Sequence, residues 1–205
     1  MPKVGPKVRV ARRNQFMGAA RDLAAESGFR ALIIDDVCTR AGMSKGAFYL
    51  YFTSKQELLH AMLEEEIAQV DKLLDLLNVA ELPELEKVRV FVRTMVQRAQ
   101  DPAEVALRAE LWSQVGVDEQ LRARIAETVR MRRARLAAFA TAGAGCGELV
   151  EVPPNAFGAV LVALVDGLLV HHAVDPTGFQ WQNIARVVDI LLDHLGVPAG
   201  ASALP

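Results

Sequence analysis

Between Ser44 and Lys55 the chain reads SKGAFYLYFTSK, with Phe48, Tyr49, Tyr51 and Phe52 set between two lysines in a protein that is only 6% aromatic. These residue types suit the binding of a polyanion better than catalysis. Lysine ammonium groups and the hydroxyls of Ser44, Tyr49 and Tyr51 contact phosphate oxygens, and the bare N–H groups of a helix start at Ser44 attract anions in the same way. Lys45 suits the acceptors of a guanine, and Ala47 or Leu50 a thymine methyl. Gly46 keeps the first turn slim, and Lys55 reaches toward a flanking strand. Phe48 and Phe52 are four apart on one face and read as core. One short helix would therefore both pack on a scaffold and dock on DNA.

Other chemistry is sparse. No G-x-S-x-G, P-loop, H-E-x-x-H or paired-cysteine motif occurs, so no catalytic residue, metal or cofactor is assigned and no enzyme is expected. His171, His172, Asp175 and His194 form the remaining cluster. Adjacent histidines on a helix point about 100° apart, a poor chelating pair. An enzyme or metal-binding helical protein using His171, His172 and Asp175 is one alternative. An architectural DNA-binding protein without ligand control is another, which the acidic, apolar body argues against. Cys38 and Cys146 are too few for a disulfide framework. Cys38 reads as a small core residue rather than a redox switch. The run Arg130 to Arg135 would spread around a helix as a solvated, salt-bridged face.

The elements that must hold these residues are helical. Alternating patterns are scarce and helical periodicity recurs throughout, which makes the fold all-α. Over residues 1–55 ten Lys/Arg oppose four acids, a net of +6; over 56–205 thirteen oppose twenty-one, a net of −8. A basic head on an acidic body places a polyanion at one end. Helices are expected at about 9–27, 35–41, 44–52, from 54 onward, then 84–100, 103–115, 119–142, 154–174 and 178–195, about nine in all. Ser44 is the expected N-cap of the third, and Ser54 with Glu57 a capping box for the fourth. The segments 142–147 and Ala199 to Pro205 read as mobile. The start MPKVGPKVRVARR lacks the apolar core of a signal peptide, so the cytoplasm is the expected compartment. The apolar run from Ala156 to Val174 is broken by Asp166, His171 and His172 and reads as a buried helix, with no membrane span.

Residues 35–52 have the form helix, Gly-containing turn, helix. The run AARDLAAESGFRALIIDDVCTRAGMSKGAFYLYFTSKQELL, Ala19 to Leu59, resembles the DNA-binding domain of the TetR/AcrR family of bacterial transcriptional regulators. Ala20, Leu23, Gly28, Phe29, Val37, Ala41 to Ser44, Gly46, Phe48, Tyr49, Tyr51, Phe52, Lys55, Glu57 and Leu58 carry the likeness. The resemblance implies phosphate contacts at Ser44, Tyr49, Tyr51 and Lys55, and groove-facing positions at Lys45, Gly46, Ala47 and Leu50. Two departures stand out. Leu32, Ile33 and Ile34 replace the hydroxyl residues common before the second helix. Asp35 and Asp36 would repel a DNA backbone unless they face away; Arg9, Arg12 and Arg13 of the basic tail would compensate.

The resemblance further implies a helix-turn-helix domain over 1–55 and a regulatory and dimerisation domain over 56–205. The function implied is a ligand-responsive regulator, a homodimeric repressor released from a palindromic double-stranded operator by a small-molecule effector. Candidate ligand residues are Met62, Phe91, Met95, Trp112, Phe139 and Asp166. Core packing is the plainer role for each, and Arg108 or Arg135 are candidate partners for Asp166. The last two helices carry apolar stripes that suit a four-helix dimer interface, with Leu164, Leu168, His171, Ile184, Val188, Leu191 and Leu195 as its candidates.

Overall fold

A computed structural model describes residues 5–197. Residues 1–4 and 198–205 lie outside the described residues, and with them the tail from Ala199 that the sequence reads as mobile. Nine α-helices and two short 3₁₀ turns make up the described fold: α1 Pro6–Ser27, α2 Ile34–Arg40, α3 Lys45–Phe48, α4 Lys55–Val79, α5 Glu84–Arg98, α6 Pro102–Gln114, α7 Glu119–Gly145, α8 Pro154–Val174 and α9 Trp181–Asp193. One isolated antiparallel bridge joins Leu149 to Gly196.

The chain divides into two compact units. Asp101–Leu121 joins the chain up to Glu66, and Ile67–Gln100 joins the chain from Arg122 onward. These units do not follow the expected boundary at 55/56. The physical reason is that α4 runs unbroken from Lys55 to Val79 while α6 packs along α1.

In the first unit α1 starts at Pro6, whose missing N–H costs nothing at a helix start. Arg9, Arg12 and Arg13 therefore stand on α1 and not in a tail. Phe16, Met17, Ala19, Ala20 and Ala24 form its buried face. Gly42, at φ +64, makes the turn between α2 and α3 in a conformation that a side chain would strain. Gln15 of α1 fastens this turn by donating from Nε2 to the Ala41 carbonyl at 2.9 Å. Ser54 caps α4 through the Glu57 N–H at 3.1 Å. The Glu57 carboxylate returns to the N–H and hydroxyl of Thr53, both at 2.6 Å, one residue before the expected position. Arg108 of α6 donates to the buried Glu66 of α4 at 2.6 Å. Gln56, His60 and the Leu121 N–H converge on Asp118 at 2.6, 2.8 and 2.8 Å. Led by that backbone N–H, they hold the Asp118 carboxyl down to about 2.

The core of the second unit gathers residues of α4, α5, α7, α8 and α9, among them Leu74, Phe91, Leu136, Leu161 and Leu192. Gly158 brings α8 onto α7: a Cβ there would stand 2.3 Å from the Arg133 carbonyl oxygen. The segment expected to be mobile at 142–147 is helical through Gly145, because Leu149 folds back onto Gly143 and leaves no room for a side chain. Arg89 of α5 spans to Asp189 and Asp193 of α9, and Arg93 holds Asp189 through two bonds of 3.0 and 2.9 Å.

Candidate nucleic-acid interface

The head is built around aromatic rings. Phe16, Phe48 and Phe52 are fully buried or nearly so. Phe16 meets Phe48 edge-on with centroids 5.3 Å apart, and Phe48 lies 5.4 Å from Phe52. Tyr51 leans on Phe16 at 5.9 Å. Rings at these separations and tilts add about 0.5–1.5 kcal/mol per pair beyond the burial itself. The expected core role of Phe48, Phe52, Val37 and Cys38 holds. Burial pushes the Cys38 thiol up, which makes it a poor redox switch.

The opposite side of α3 is open. Tyr49 is 47% exposed and Leu50 72%. Ser44, Lys45 and Gly46 are exposed, with Ala47 and Tyr51 half-buried. Ser44 Oγ accepts the Ala47 N–H at 3.1 Å, so the expected cap is present. A Cβ at Gly46 would meet only Ser44 Oγ, at 3.9 Å, so nothing within the protein demands glycine there. Helix α3 is shorter than expected. After Phe48 it tightens, with Leu50 N–H reaching Ala47 and Tyr51 N–H reaching Phe48, which turns Phe52 into the core.

The charges around α3 are largely committed to the protein itself. Lys45 pairs with Asp35 at 2.7 Å, both exposed, and this contact raises the lysine's pKa. Arg40 forms a two-pronged pair with Glu26, each bond 2.9 Å. Lys55, expected to reach a flanking strand, donates to the Arg30 carbonyl at 2.9 Å and lies 5.2 Å from the Phe29 ring centroid. Burial there lowers its pKa. These partners were missed in the sequence; only the Asp35–Lys45 pair left a signal, as opposite charges bracketing a tight turn. At the start of α2, Leu32 is buried while Ile33 occupies the N-cap position and makes no side-chain cap. Asp35 and Asp36 sit in that first turn, where their charge suits the helix dipole.

The remaining candidates scatter. Met62 is fully buried and Trp112 is 43% exposed, both in the first unit. Phe91, Met95 and Phe139 are buried in the core of the second, and Asp166 is half-buried on α8. Arg135 bonds Asp75 and the Asp71 carbonyl. None of the six lines the apolar groove of about 390 Å³ that opens between α8 and α9. Leu164, Val188, Leu191 and Leu195 do line it. Val188 is 5% exposed and serves the chain's own core, whereas Leu191 is 57% exposed. Leu168 and Ile184 are half-buried and His171 is exposed. His172 stacks among Phe179 and Trp181, at 5.4 and 5.0 Å, and His194 bonds the Ile190 carbonyl. Among the described residues no group of three or more His, Cys, Asp or Glu is arranged to hold a metal ion. Helix α8 is long and apolar enough to cross a membrane by length and composition, with 33% of its most apolar window buried inside the chain.

A helix-turn-helix head whose second helix is exposed has the form of a domain that enters the major groove of DNA. Comparison with known proteins agrees. Residues 16–62 match the description "Bacterial regulatory proteins, tetR family", and residues 84–197 match "BetI-type transcriptional repressor, C-terminal". The chain belongs to the tetR family of bacterial regulatory proteins. The Transposon Tn10 TetC protein of Escherichia coli is 36% identical over 56 residues, 27% of this chain and 28% of its own length. The first curated relatives are thus matched over less than a third of their length. The regulator BetI of Rhizobium meliloti is 24% identical over 198 residues, covering 95% of this chain and 94% of its own. A transcriptional regulator of Saccharomonospora viridis, solved in complex with choline, shares the fold with a TM-score of 0.77 at 18% identity, over 91% of this chain and 98% of its own.

Proposed function

We propose that the protein is a homodimeric repressor that binds a palindromic operator through α3 and is released by a small molecule. The observation that carries this reading is the exposed side of α3 and of the turn after it, where Tyr49 and Leu50 stand out over a core formed by Phe16, Phe48 and Phe52. Ser44, Lys45, Gly46, Ala47, Tyr49, Leu50 and Tyr51 form the contact set, with Lys55 acting mainly by fixing the backbone at Arg30. Residues 1–55 supply the DNA-binding part and 56–205 the regulatory and dimerising part.

One head covers only a half-site, so two must be held at successive major grooves. The exposed apolar side chains Val160, Val187, Ile190 and Leu191 of α8 and α9 support a partner subunit on that face. Covering this face by a second subunit also fits a cytoplasmic protein rather than a membrane one. The effector would act by favouring one of two arrangements of the dimer, and a coupling of about 1–3 kcal/mol suffices. Choline, seen with the Saccharomonospora viridis regulator, is the first effector to try.

The test is recovery of a preferred duplex from a random-sequence pool by the full-length protein, followed by titration of choline and then a wider panel of metabolites. An inverted-repeat sequence retained against excess unrelated DNA, and released by one compound, is expected. Retention no better than that of random DNA would sink the reading.

A further inference from the structure

Lys45 is the cation best placed to read a base, on the first turn of the exposed helix α3. Its ammonium does not project freely. It meets the Asp35 carboxylate of α2 at 2.7 Å across the Gly42 turn, and both side chains remain more than half exposed. Asp35 is itself fixed in the first turn of α2, and its carbonyl accepts the Thr39 hydroxyl at 2.9 Å. The same economy applies nearby, where Arg40 is matched by Glu26. A lysine beside a carboxylate acts at a distance as a dipole and not as a charge. Its attraction for the diffuse field of a phosphate backbone is largely cancelled, whereas a donor proton can still bond an acceptor within contact range. Sequence-independent binding depends on the first effect and base reading on the second.

We propose that Asp35 is a positioning residue for selectivity: it holds Lys45 over the groove, suppresses binding to arbitrary DNA and reserves the lysine for a base edge. The inference rests on the reading of α3 as the DNA-contacting helix. It gives the acidic pair before the turn, which looks merely repulsive in the sequence, a use.

The experiment compares full-length wild type, Asp35→Asn, Asp35→Glu, Lys45→Ala and the double variant on two duplexes. One is recovered from a random pool by the wild type, and the other is a scrambled duplex of equal length. Affinities are measured across a range of salt concentrations. Asp35→Asn is expected to bind the scrambled duplex about tenfold more tightly and to steepen its log–log salt dependence by about 0.9 per protomer, as one more phosphate is neutralised. The ratio of preferred to scrambled affinity should fall, and Asp35→Glu should restore it. In the Lys45→Ala background the Asp35 substitution still removes a negative charge and should tighten binding to both duplexes alike, but the ratio of preferred to scrambled affinity should stay unchanged, since selectivity passes through the lysine. Thermal melting of each variant identifies any that fails to fold. The proposal is overturned if folded Asp35→Asn leaves the scrambled affinity and salt slope unchanged. It is also overturned if the fall in the ratio of preferred to scrambled affinity persists without Lys45, which would make Asp35 a reader of cytosine in its own right. A wild type with no preferred duplex removes the DNA-contact reading and this inference together. A wild type with one, and a silent Asp35→Asn, removes the inference alone.

Discussion

Helices α3 and α9 each turn an exposed face to solvent, and both rest on buried apolar side chains, to which α9 adds ion pairs. Phe48 of α3 packs between Phe16 and Phe52, and the half-buried Tyr51 leans on Phe16. Behind α9, Asp189 and Asp193 are tied to Arg89 and Arg93 of α5, alongside the buried Val188 and Leu192. The faces differ as well. That of α3 is small, polar and flanked by charges already paired. That of α9, with α8, is apolar enough to leave a groove of about 390 Å³ open. A surface that must fit another molecule closely, like the first, is backed by rigid packing that neither salt nor pH alters. The second surface is apolar, and part of its anchorage is ionic and so open to salt and pH.

The comparison breaks most sharply at Leu191. Leu191→Glu puts a charge on the apolar face without touching the core, so the chain should still fold, melting lower only by what association had contributed. Sedimentation should then show monomers, and operator affinity should fall by about a thousandfold or more, to the level of non-specific binding. An intact dimer would remove the reading of that face. Next comes Phe48→Ala, which should cost about 3–5 kcal/mol in thermal or urea unfolding of the head, equally at low and high salt. Gly46→Ala should do the opposite to the fold, stabilising α3 by up to about 1 kcal/mol while weakening operator binding about tenfold. Unchanged binding would mean that DNA does not approach Gly46. The smallest effect belongs to the anchorage of α9. Asp189→Asn should cost about 1 kcal/mol or less, and the loss should shrink in high salt. Hydrogen bonding from Arg93, with Arg89 assisting, lowers the Asp189 pKa. A depressed carboxylate stabilises the fold above the unfolded value of about 3.9 and loses that contribution as pH falls through its folded value. Amide exchange in α9 should therefore rise in wild type below about pH 4, and the substitution should abolish that rise.

Much of the architecture was legible because helix breaks are written in local chemistry. The limits of α8 follow from Pro153-Pro154 and Asp175-Pro176, and the turn before α3 from Gly42. The core rings at 48 and 52 follow from their spacing. What escaped was set by partners distant in sequence. Lys55 reads as a free cation until the Arg30 carbonyl is beside it, 25 residues away. The compact units escaped because α6 returns to pack on α1, and nothing in either helix alone announces the other. Gly143 looked like a flexible segment because its demand for no side chain comes from Leu149. The ligand candidates were chosen for size and polarisability, properties that a core residue such as Phe91 or Met95 shares with a pocket wall.

Gly158 sets a constraint on inheritance as well as on shape. With the Arg133 oxygen 2.3 Å from where any Cβ would stand, every other amino acid at that position prises α8 from α7. The crossing works as a close fit: at that point α7 and α8 approach backbone to backbone, with no side chain between them. Among descendants of this chain the two helices are free to exchange most of their surface residues. That single position stays closed to variation unless the backbone on both sides of the crossing is rebuilt at once.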